Sequence, residues 1–163
     1  MLENAYRKAS AAGAGLRAAT YPSRLARPST SPSRQDAETL ILGVDTIVAL
    51  GSRVYGKPAD RAEAAETLRA LAGRTHRVLS GVCVIQSGQA RTAAAVTQVH
   101  FNQLDERTLE WYLDSGEWQG RAGGYAIQGR GAALVEAIDG DYLNVVGLPV
   151  KTLQDLIPNL VLS

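Results

Sequence analysis

An acidic residue, Asp45, lies in the middle of an apolar, β-branched run, LILGVDTIVAL. An unpaired carboxylate in such a run would be expensive to bury. Asp45 must therefore have a partner, lie at the end of a strand or bind a ligand. A carboxylate held in this way can act as a general base or coordinate a magnesium ion. A turn aspartate that bonds to nearby amides explains the spacing equally well, so both interpretations stay open.

A lysine, Lys57, lies between a glycine and a proline in GKPAD, just before a segment with a helical pattern. The N-terminus of a helix offers free backbone amides and the positive end of the helix dipole, both of which suit a phosphate. Lys57 would add a point charge. The G-x-x-x-x-G-K-[ST] spacing of a Walker loop is absent. A solvated loop lysine is the alternative interpretation.

A glutamine, Gln128, is framed by glycines in AGGYAIQGRG. Its side-chain amide both donates and accepts hydrogen bonds, which suits recognition of one edge of a nucleobase. Gly129 and Gly131 would let the backbone come close to a ligand. An amide that stabilises a turn is the alternative, and for this stretch taken alone it is the simpler one.

The composition excludes several classes of protein. The chain has 163 residues, 45% of them hydrophobic and 20% charged, with a formal net charge of +1. These values are typical of one globular domain and give no argument for a nucleic-acid or membrane-surface partner. One cysteine, Cys83, excludes an internal disulfide framework and a multi-cysteine zinc site. No apolar run has the length of about 20 residues that a membrane helix needs, and no secretory signal is visible, so we expect a cytoplasmic protein.

Residues 1–38 differ from the rest of the chain, because they are rich in Ala, Arg, Ser and Pro. Alanine propensity predicts a weak helix over MLENAYRKASAAGAGLRAAT. Three prolines predict a loop or disordered chain over YPSRLARPSTSPSRQD. We therefore expect a loosely ordered segment over residues 1–38 that contributes little to a core, followed by a folded domain over residues 39–163.

From Thr39 onwards the pattern of apolar residues predicts a mixed α/β domain whose sheet is built from hairpin pairs. The first predicted elements are a buried strand that returns through Gly51–Ser52 and a helix with a capping box at Asp60 and Glu63 and a stop at Gly73. Two strands joined at Ser87–Gly88 follow, and then a helix with the apolar stripe Leu109, Tyr112 and Leu113. The chain continues with a strand, an Asp-Gly turn and a further strand-like run, and it closes with a short helix.

Taken together, these segments resemble the Maf family of nucleoside triphosphate pyrophosphatases. The matching motifs stand in family order between Leu40 and Ile157, and they are ILGVDTIV, YGKPAD, LAGRTHRVLSGV, LDSGEW, AGGYAIQGRG and IDGDYLNVVGLP. The resemblance implies a mixed α/β fold with a central groove, similar to the inosine triphosphate pyrophosphatase group. It also implies hydrolysis of a nucleoside triphosphate between the α and β phosphates. The products would be the monophosphate and pyrophosphate, and a divalent metal, magnesium or manganese, would be required.

The resemblance implies a role for each candidate residue. Asp45 matches the acidic residue described as the proton acceptor that activates water, and it is also a candidate metal ligand. Lys57 matches the lysine that contacts phosphates. Thr46 and Gln128 match the branch that acts on dTTP and UTP, so pyrimidine triphosphates are the implied substrates, and a role in clearing non-standard nucleotides stays open. The expected partner is the nucleotide, without nucleic acid or membrane, and a homodimer stays open as an assembly.

The start of the chain departs from the family pattern. Maf proteins begin with a strand, an S-x-S-P-R-R loop that supplies phosphate-binding arginine and serine, and a helix. STSPSR, from Ser29 to Arg34, imitates these letters immediately before the Asp45 strand, and we interpret it as a loop. The strand–loop–helix unit is therefore expected to be missing, through an altered or divergent gene start. The alternative function that follows is a catalytically impaired Maf-like protein that binds nucleotide or regulates a partner without the phosphate loop.

Overall fold

The computed structural model describes residues 1–18 and 39–158 of the chain. In chain order the elements are α1 (Leu2–Ala18), β1 (Leu40–Leu50), β2 (Arg53–Tyr55), α2 (Arg61–Leu71), β3 (Thr75–Gln86), β4 (Gln89–Phe101), α3 (Glu106–Asp114), β5 (Val135–Asp139), α4 (Tyr142–Val146) and α5 (Val150–Leu156). Two short 3-10 helices, Ala122–Gly124 and Gly129–Leu134, lie between α3 and β5. The mixed α/β class is confirmed. Over the same described ranges, no helix has the length and apolar character to cross a membrane.

The five strands form one sheet in the order β2-β1-β3-β4-β5. β1 pairs with β2 in antiparallel orientation, with Val48 opposite Tyr55, and β4 pairs in the same way with β5. The hairpin between β3 and β4 turns at Ser87 and Gly88, whose φ angles are +50° and +77°. Positive φ angles are what a tight hairpin turn requires. The two hairpins predicted from the sequence, β1–β2 at Gly51–Ser52 and β3–β4 at Ser87–Gly88, are therefore confirmed.

The described chain divides into two compact units. The first consists of residues 1–18, 39–45, 81–94 and 152–158. The second consists of residues 46–80 and 95–151.

In the first unit, α1 lies directly on the backbone of β1. Ala5 and Ala9 are fully buried and cluster with the buried thiol of Cys83. Gly43 permits this approach, because a Cβ there would collide with the carbonyl oxygen of Ala5 and lie 2.8 Å from the backbone nitrogen of Ala9. The expectation that the start of the chain contributes little to a core is therefore wrong for α1. Residues 19–38, which include STSPSR, lie outside the described residues, and the division at residue 38 stays a prediction.

In the second unit, α2 begins and ends where the sequence predicts. The carboxylate of Asp60 accepts a hydrogen bond from the backbone N–H of Glu63 at 2.8 Å. The carboxylate of Glu63 accepts from the N–H of Ala59 at 2.7 Å, one residue before the cap. Gly73 follows the helix with a φ of +64°. The bond to Asp60 satisfies a donor that the first turn of a helix leaves without a partner, and the bond from Ala59 fixes the residue before the cap.

α3 supplies the other helical face of this unit's core. Its predicted apolar stripe is buried, and the stripe packs with residues of α2 and of the sheet. The largest fully buried side chains of the second unit include Tyr112, Leu68, Leu71, Leu109, Leu134 and Val99. The predicted stripe is thus confirmed, and it fixes α3, which precedes the segment of Gln128, in the core of the second unit.

The second strand-like run predicted after β5 is wrong, because Tyr142–Val146 forms the helix α4. A short apolar run cannot be assigned to strand or helix by its period alone. Here a cap decides the outcome, since the side chain of Asp141 accepts from the N–H of Leu143 at 2.8 Å. The helix is also fixed by Asn144, which is fully buried and donates to the carbonyl oxygen of Val78 at 3.1 Å.

A buried histidine, His76, makes the stability of the protein depend on pH. Its Nε2 atom lies 2.8 Å from the hydroxyl oxygen of Tyr125, and its ring packs edge-on against the rings of Phe101 and Tyr125. Burial lowers the pKa of His76 from 6.5 to about 4. The unfolded chain therefore binds a proton on this ring below pH 6.5, whereas the folded chain does so only near pH 4.

We expect His76→Phe to flatten the acid dependence of stability. For the unchanged protein, this ring should remove up to about 3 kcal/mol from the free energy of unfolding as the pH falls from neutral to about 4. The variant loses the bond to Tyr125 at every pH but has no proton to bind, so its decline should be shallower. Urea unfolding at neutral pH and near pH 4 measures both slopes. Parallel slopes for the two proteins would refute this role of His76.

Candidate active site

Asp45 is half-buried near the middle of β1, and its carboxylate is held by α1. The ammonium group of Lys8 donates to Oδ1 of Asp45 at 2.5 Å and to the carbonyl oxygen of Val44 at 3.1 Å. The side-chain amide of Asn4 donates to Oδ2 at 3.3 Å. Of the alternatives left open by the sequence, a partnered carboxylate inside the strand is the one found, and a turn aspartate is excluded.

These partners set the protonation state of Asp45. Burial raises the pKa of this carboxyl group. The hydrogen bonds from Lys8 and Asn4 and the positive charge of Lys8 together lower the pKa by more than burial raises it, so that it lies below its usual value of 3.8. The group is therefore an anion at neutral pH. A fixed anionic oxygen can orient a water molecule and accept its proton as charge develops.

Lys8 and Asn4 were not singled out from the sequence, although a signal was present. The two residues are four apart, which places them on one face of a helix. Ala5 and Ala9 show the same spacing and are buried. The strand that this face meets could not be read from the sequence, because 37 residues separate Lys8 from Asp45.

Thr46, the residue after Asp45, belongs to the second unit and is half-buried. Its hydroxyl oxygen lies 2.9 Å from that of Ser80 on β3, and either hydroxyl can be the donor. Thr46 and Val48 are two residues apart on a strand and so point to the same face. Gly123 lies over that face, because a Cβ there would be 2.8 Å from Cγ2 of Val48.

The loop of Lys57 and the segment that leads to Gln128 are joined by a backbone bond. The N–H of Gly123 donates to the carbonyl oxygen of Gly56 at 2.8 Å. Lys57 itself is exposed. The structure thus places the GKP loop beside the AGGY turn, and both lie near the Val48 position of β1.

Gln128 is exposed at the start of the 3-10 helix Gly129–Leu134. It has the backbone conformation of an N-cap residue, but its side chain makes no cap bond. The alternative, in which the amide of Gln128 stabilises this turn as a cap, is therefore not found. Three predicted residues, Thr46, Lys57 and Gln128, lie in the second unit, whereas Asp45 lies in the first.

The described residues do not fit a metal ion held by Asp45. Over residues 1–18 and 39–158, no three His, Cys, Asp or Glu side chains come together in a group that could hold an ion. Both oxygens of Asp45 already accept hydrogen bonds, one of them from an ammonium group. Divalent cations such as magnesium need several oxygen ligands and are repelled by a neighbouring positive charge.

Comparison with known proteins places this geometry in context. The model of the family described as Maf-like protein matches residues 2–160, which include α1 as well as the motifs from Leu40 onwards. A protein of Pyrococcus furiosus named dTTP/UTP pyrophosphatase is 47% identical over 117 residues, which are 72% of this chain and 62% of that protein. A protein of the same name from Symbiobacterium thermophilum is 48% identical over 118 residues, 72% of this chain and 61% of the relative.

A third relative with this name, from Cereibacter sphaeroides, is 44% identical over 130 residues, 80% of this chain and 68% of the relative. The chain therefore spans less than two thirds of the length of the first two relatives. The resemblance read from the motifs is confirmed by the family match.

Proposed function

The chain belongs to the Maf family, and from this premise we propose that it hydrolyses dTTP and UTP to the nucleoside monophosphate and pyrophosphate. Water would supply the oxygen that replaces the bridging oxygen between the α and β phosphates. The proposal is supported by the name that the relatives share, dTTP/UTP pyrophosphatase. It is also supported by an anionic carboxylate at the position that the resemblance gives to the proton acceptor.

The observation that carries the proposal is the fixed Asp45 carboxylate. Lys8 and Asn4 hold both of its oxygens from α1, and its lowered pKa keeps it ionised. In the proposed reaction Asp45 accepts the proton of the attacking water. Lys57, exposed on its loop, would stabilise the negative charge of the phosphates. Pyrophosphate would leave with the electrons of the broken P–O bond.

A divalent cation belongs to the proposal through the family resemblance, as magnesium or manganese. A cation bound to the triphosphate would neutralise charge on the phosphates. The described residues offer no cluster of ligands for a resident ion. The cation is therefore proposed to arrive as part of the metal–nucleotide substrate.

Thr46 and Gln128 are proposed to select the base. The exposed amide of Gln128 can donate to and accept from the edge of a pyrimidine. Thr46 lies on the face of β1 that the AGGY turn covers at Val48. Its hydroxyl is already paired with Ser80, so Thr46 would act through the remaining capacity of that hydroxyl or through its shape.

We expect Gln128→Ala to relax base selection more than it slows turnover. Loss of one hydrogen bond to the base should reduce the preference for dTTP over dATP by about tenfold. The ratio of the two kcat/KM values measures this preference. Gln119→Ala, at an exposed glutamine of the same segment, is the matched control and should keep the ratio. An unchanged ratio in the Gln128 variant would exclude Gln128 as the base reader.

A second candidate function is nucleotide binding or regulation without turnover. It is favoured by one observation, namely that both oxygens of Asp45 already have donors. In this case nucleotides would stabilise the fold against heat without being consumed. Lys57 and Gln128 would still contact the nucleotide.

A panel of nucleotides separates the two functions. Pyrophosphate release is measured for dTTP, UTP, dCTP, dATP and dGTP, with and without magnesium, and thermal stability is measured on the same samples. The enzyme hypothesis predicts release that is fastest for dTTP and UTP and depends on the metal. Stabilisation by dTTP without any release supports the binding function. Absence of both results contradicts both functions.

A further inference from the structure

A carboxylate outside the predicted site, Glu117, holds the loop that carries Gln128. It accepts hydrogen bonds from the backbone N–H of Arg130 at 2.9 and 3.1 Å and from that of Gly131 at 3.3 Å. These N–H groups belong to the first turn of the 3-10 helix, whose donors have no partners within the helix. Gln128 precedes this turn and makes no cap bond. Glu117 therefore performs the role that an N-cap side chain ordinarily has.

The glycine next to Gln128 is shaped to this carboxylate. Gly129 has a φ of +66°, a backbone conformation that residues other than glycine rarely adopt. A Cβ at Gly129 would also lie 2.8 Å from both carboxylate oxygens of Glu117. The glycine thus allows the carboxylate to approach the turn immediately after Gln128.

The residues on both sides of Gln128 are held by α3 and the turn that follows it. Two residues before Gln128, the N–H of Ala126 donates to the hydroxyl oxygen of Tyr112, which is fully buried. Two residues after Gln128, the N–H of Arg130 is bound by Glu117. The guanidinium of Arg130 also lies over the ring of Trp111, 5.2 Å from its centroid. The backbone is therefore held two residues before and two residues after Gln128, while the side chain of Gln128 is exposed.

We propose that Glu117 is a positioning residue for base selection, acting through Gln128 without touching the nucleotide. The inference rests on the proposed function, because it assumes that Gln128 reads the base. Hydrogen bonds to a charged acceptor are shorter and stronger than those between neutral groups. Glu117 therefore limits the directions in which the Gln128 amide can point. A looser loop would let Gln128 adapt to the wrong base and lose discrimination.

The test replaces Glu117 by glutamine, which keeps the shape but converts one acceptor oxygen into an NH2 group that cannot accept. E117Q should reduce the preference for dTTP over dATP, measured as the ratio of kcat/KM values, by about tenfold at most. The kcat for dTTP should change little. The matched control is E110Q, since Glu110 lies on α3 and bonds to Arg61 instead. The control should keep the preference.

A double-mutant cycle separates positioning from a general structural role. In the Gln128→Ala background, E117Q should cause no further loss of preference, because the residue that it positions is gone. An additive loss, or an equal loss of kcat/KM for every nucleotide, would overturn the proposal. Such results would mean that Glu117 supports the fold and not the choice of base.

A readout without turnover keeps this proposal distinct from the proposed function. If the unchanged protein hydrolyses no nucleotide, the proposed function fails. The tether, meaning the hydrogen bonds from the N–H groups of Arg130 and Gly131 to Glu117, is then tested by amide hydrogen exchange and by the difference in thermal stabilisation between dTTP and dATP. E117Q should accelerate exchange at Arg130 and Gly131 and reduce that difference. Unchanged exchange, or an unchanged difference, would contradict the tether.

Discussion

Asp45→Asn is expected to lower kcat for dTTP by about 10² to 10⁴-fold, the range of a lost general base. The amide has nearly the same shape as the carboxylate, so the packing of β1 should persist. Its oxygen can still accept a hydrogen bond from Lys8, but it cannot take a proton from water. The KM for dTTP should change little, because the proposed contacts with the nucleotide come from other residues. Pyrophosphate release at saturating dTTP measures the effect.

The matched control for this prediction is Asp139→Asn. Asp139 is exposed at the end of β5, opposite Gln98 of β4, and the proposed reaction assigns it no role. The control should retain the turnover of the unchanged protein. If Asp45→Asn keeps the same turnover as the control, Asp45 is not the proton acceptor.

Lys8→Met is expected to change both the rate and its pH dependence. The lysine holds the carboxylate in place, and a carboxylate displaced by about 1 Å from its productive position loses roughly 10²-fold in rate. The lysine also lowers the pKa of Asp45, against the effect of burial. Without it, the pKa of Asp45 should rise. The acid limb of the kcat/KM profile, where the base becomes protonated, should therefore move to higher pH.

The neighbouring residue provides the control for Lys8. Arg7 is exposed on the same helix and pairs with Glu3 four residues earlier, at 3.0 Å. Arg7→Met removes the same charge from α1 but no contact with Asp45. Its pH profile should match that of the unchanged protein. An acid limb that moves equally in both variants would attribute the effect to net charge and not to the Lys8–Asp45 contact.

The elements that could be predicted from the sequence are those whose signals are local. Asp60 and Glu63 predict the start of α2 because a cap is formed by residues three apart. Leu109 and Tyr112 predict the buried face of α3 because helical periodicity places them on one side. Ser87 and Gly88 predict a hairpin turn because few residues accept a positive φ. Each of these features is decided within a few positions of the chain.

The contacts around Asp45 could not be predicted, because they depend on distant parts of the chain. The sequence indicated that Asp45 needs a partner, and the partners, Lys8 and Asn4, come from a helix more than 35 residues away. α1 was predicted as a helix, but its role in the core depends on Gly43, where the absence of a side chain lets the helix approach.

Glu117 was missed for a different reason. Its acceptors bind backbone N–H groups 13 and 14 residues later, and a backbone donor leaves no mark in the residue types. A signal does exist in Gly129, whose position next to the candidate Gln128 suggested a close approach of some group. The sequence left a ligand and a turn open at this stretch, and the structure places the Glu117 carboxylate next to Gly129.

Cleavage between the α and β phosphates is tested by the identity of the products. dTTP and magnesium are incubated with the protein in oxygen-18-labelled water. The products are then separated, and the mass of each is measured by mass spectrometry to locate the label. We expect dTMP and pyrophosphate in equal amounts, with one labelled oxygen in dTMP and none in pyrophosphate, because pyrophosphate leaves with the bridging oxygen. In the Asp45→Asn variant, both products should form about 10² to 10⁴-fold more slowly. Formation of dTDP and orthophosphate would show cleavage between the β and γ phosphates and would exclude the proposed reaction.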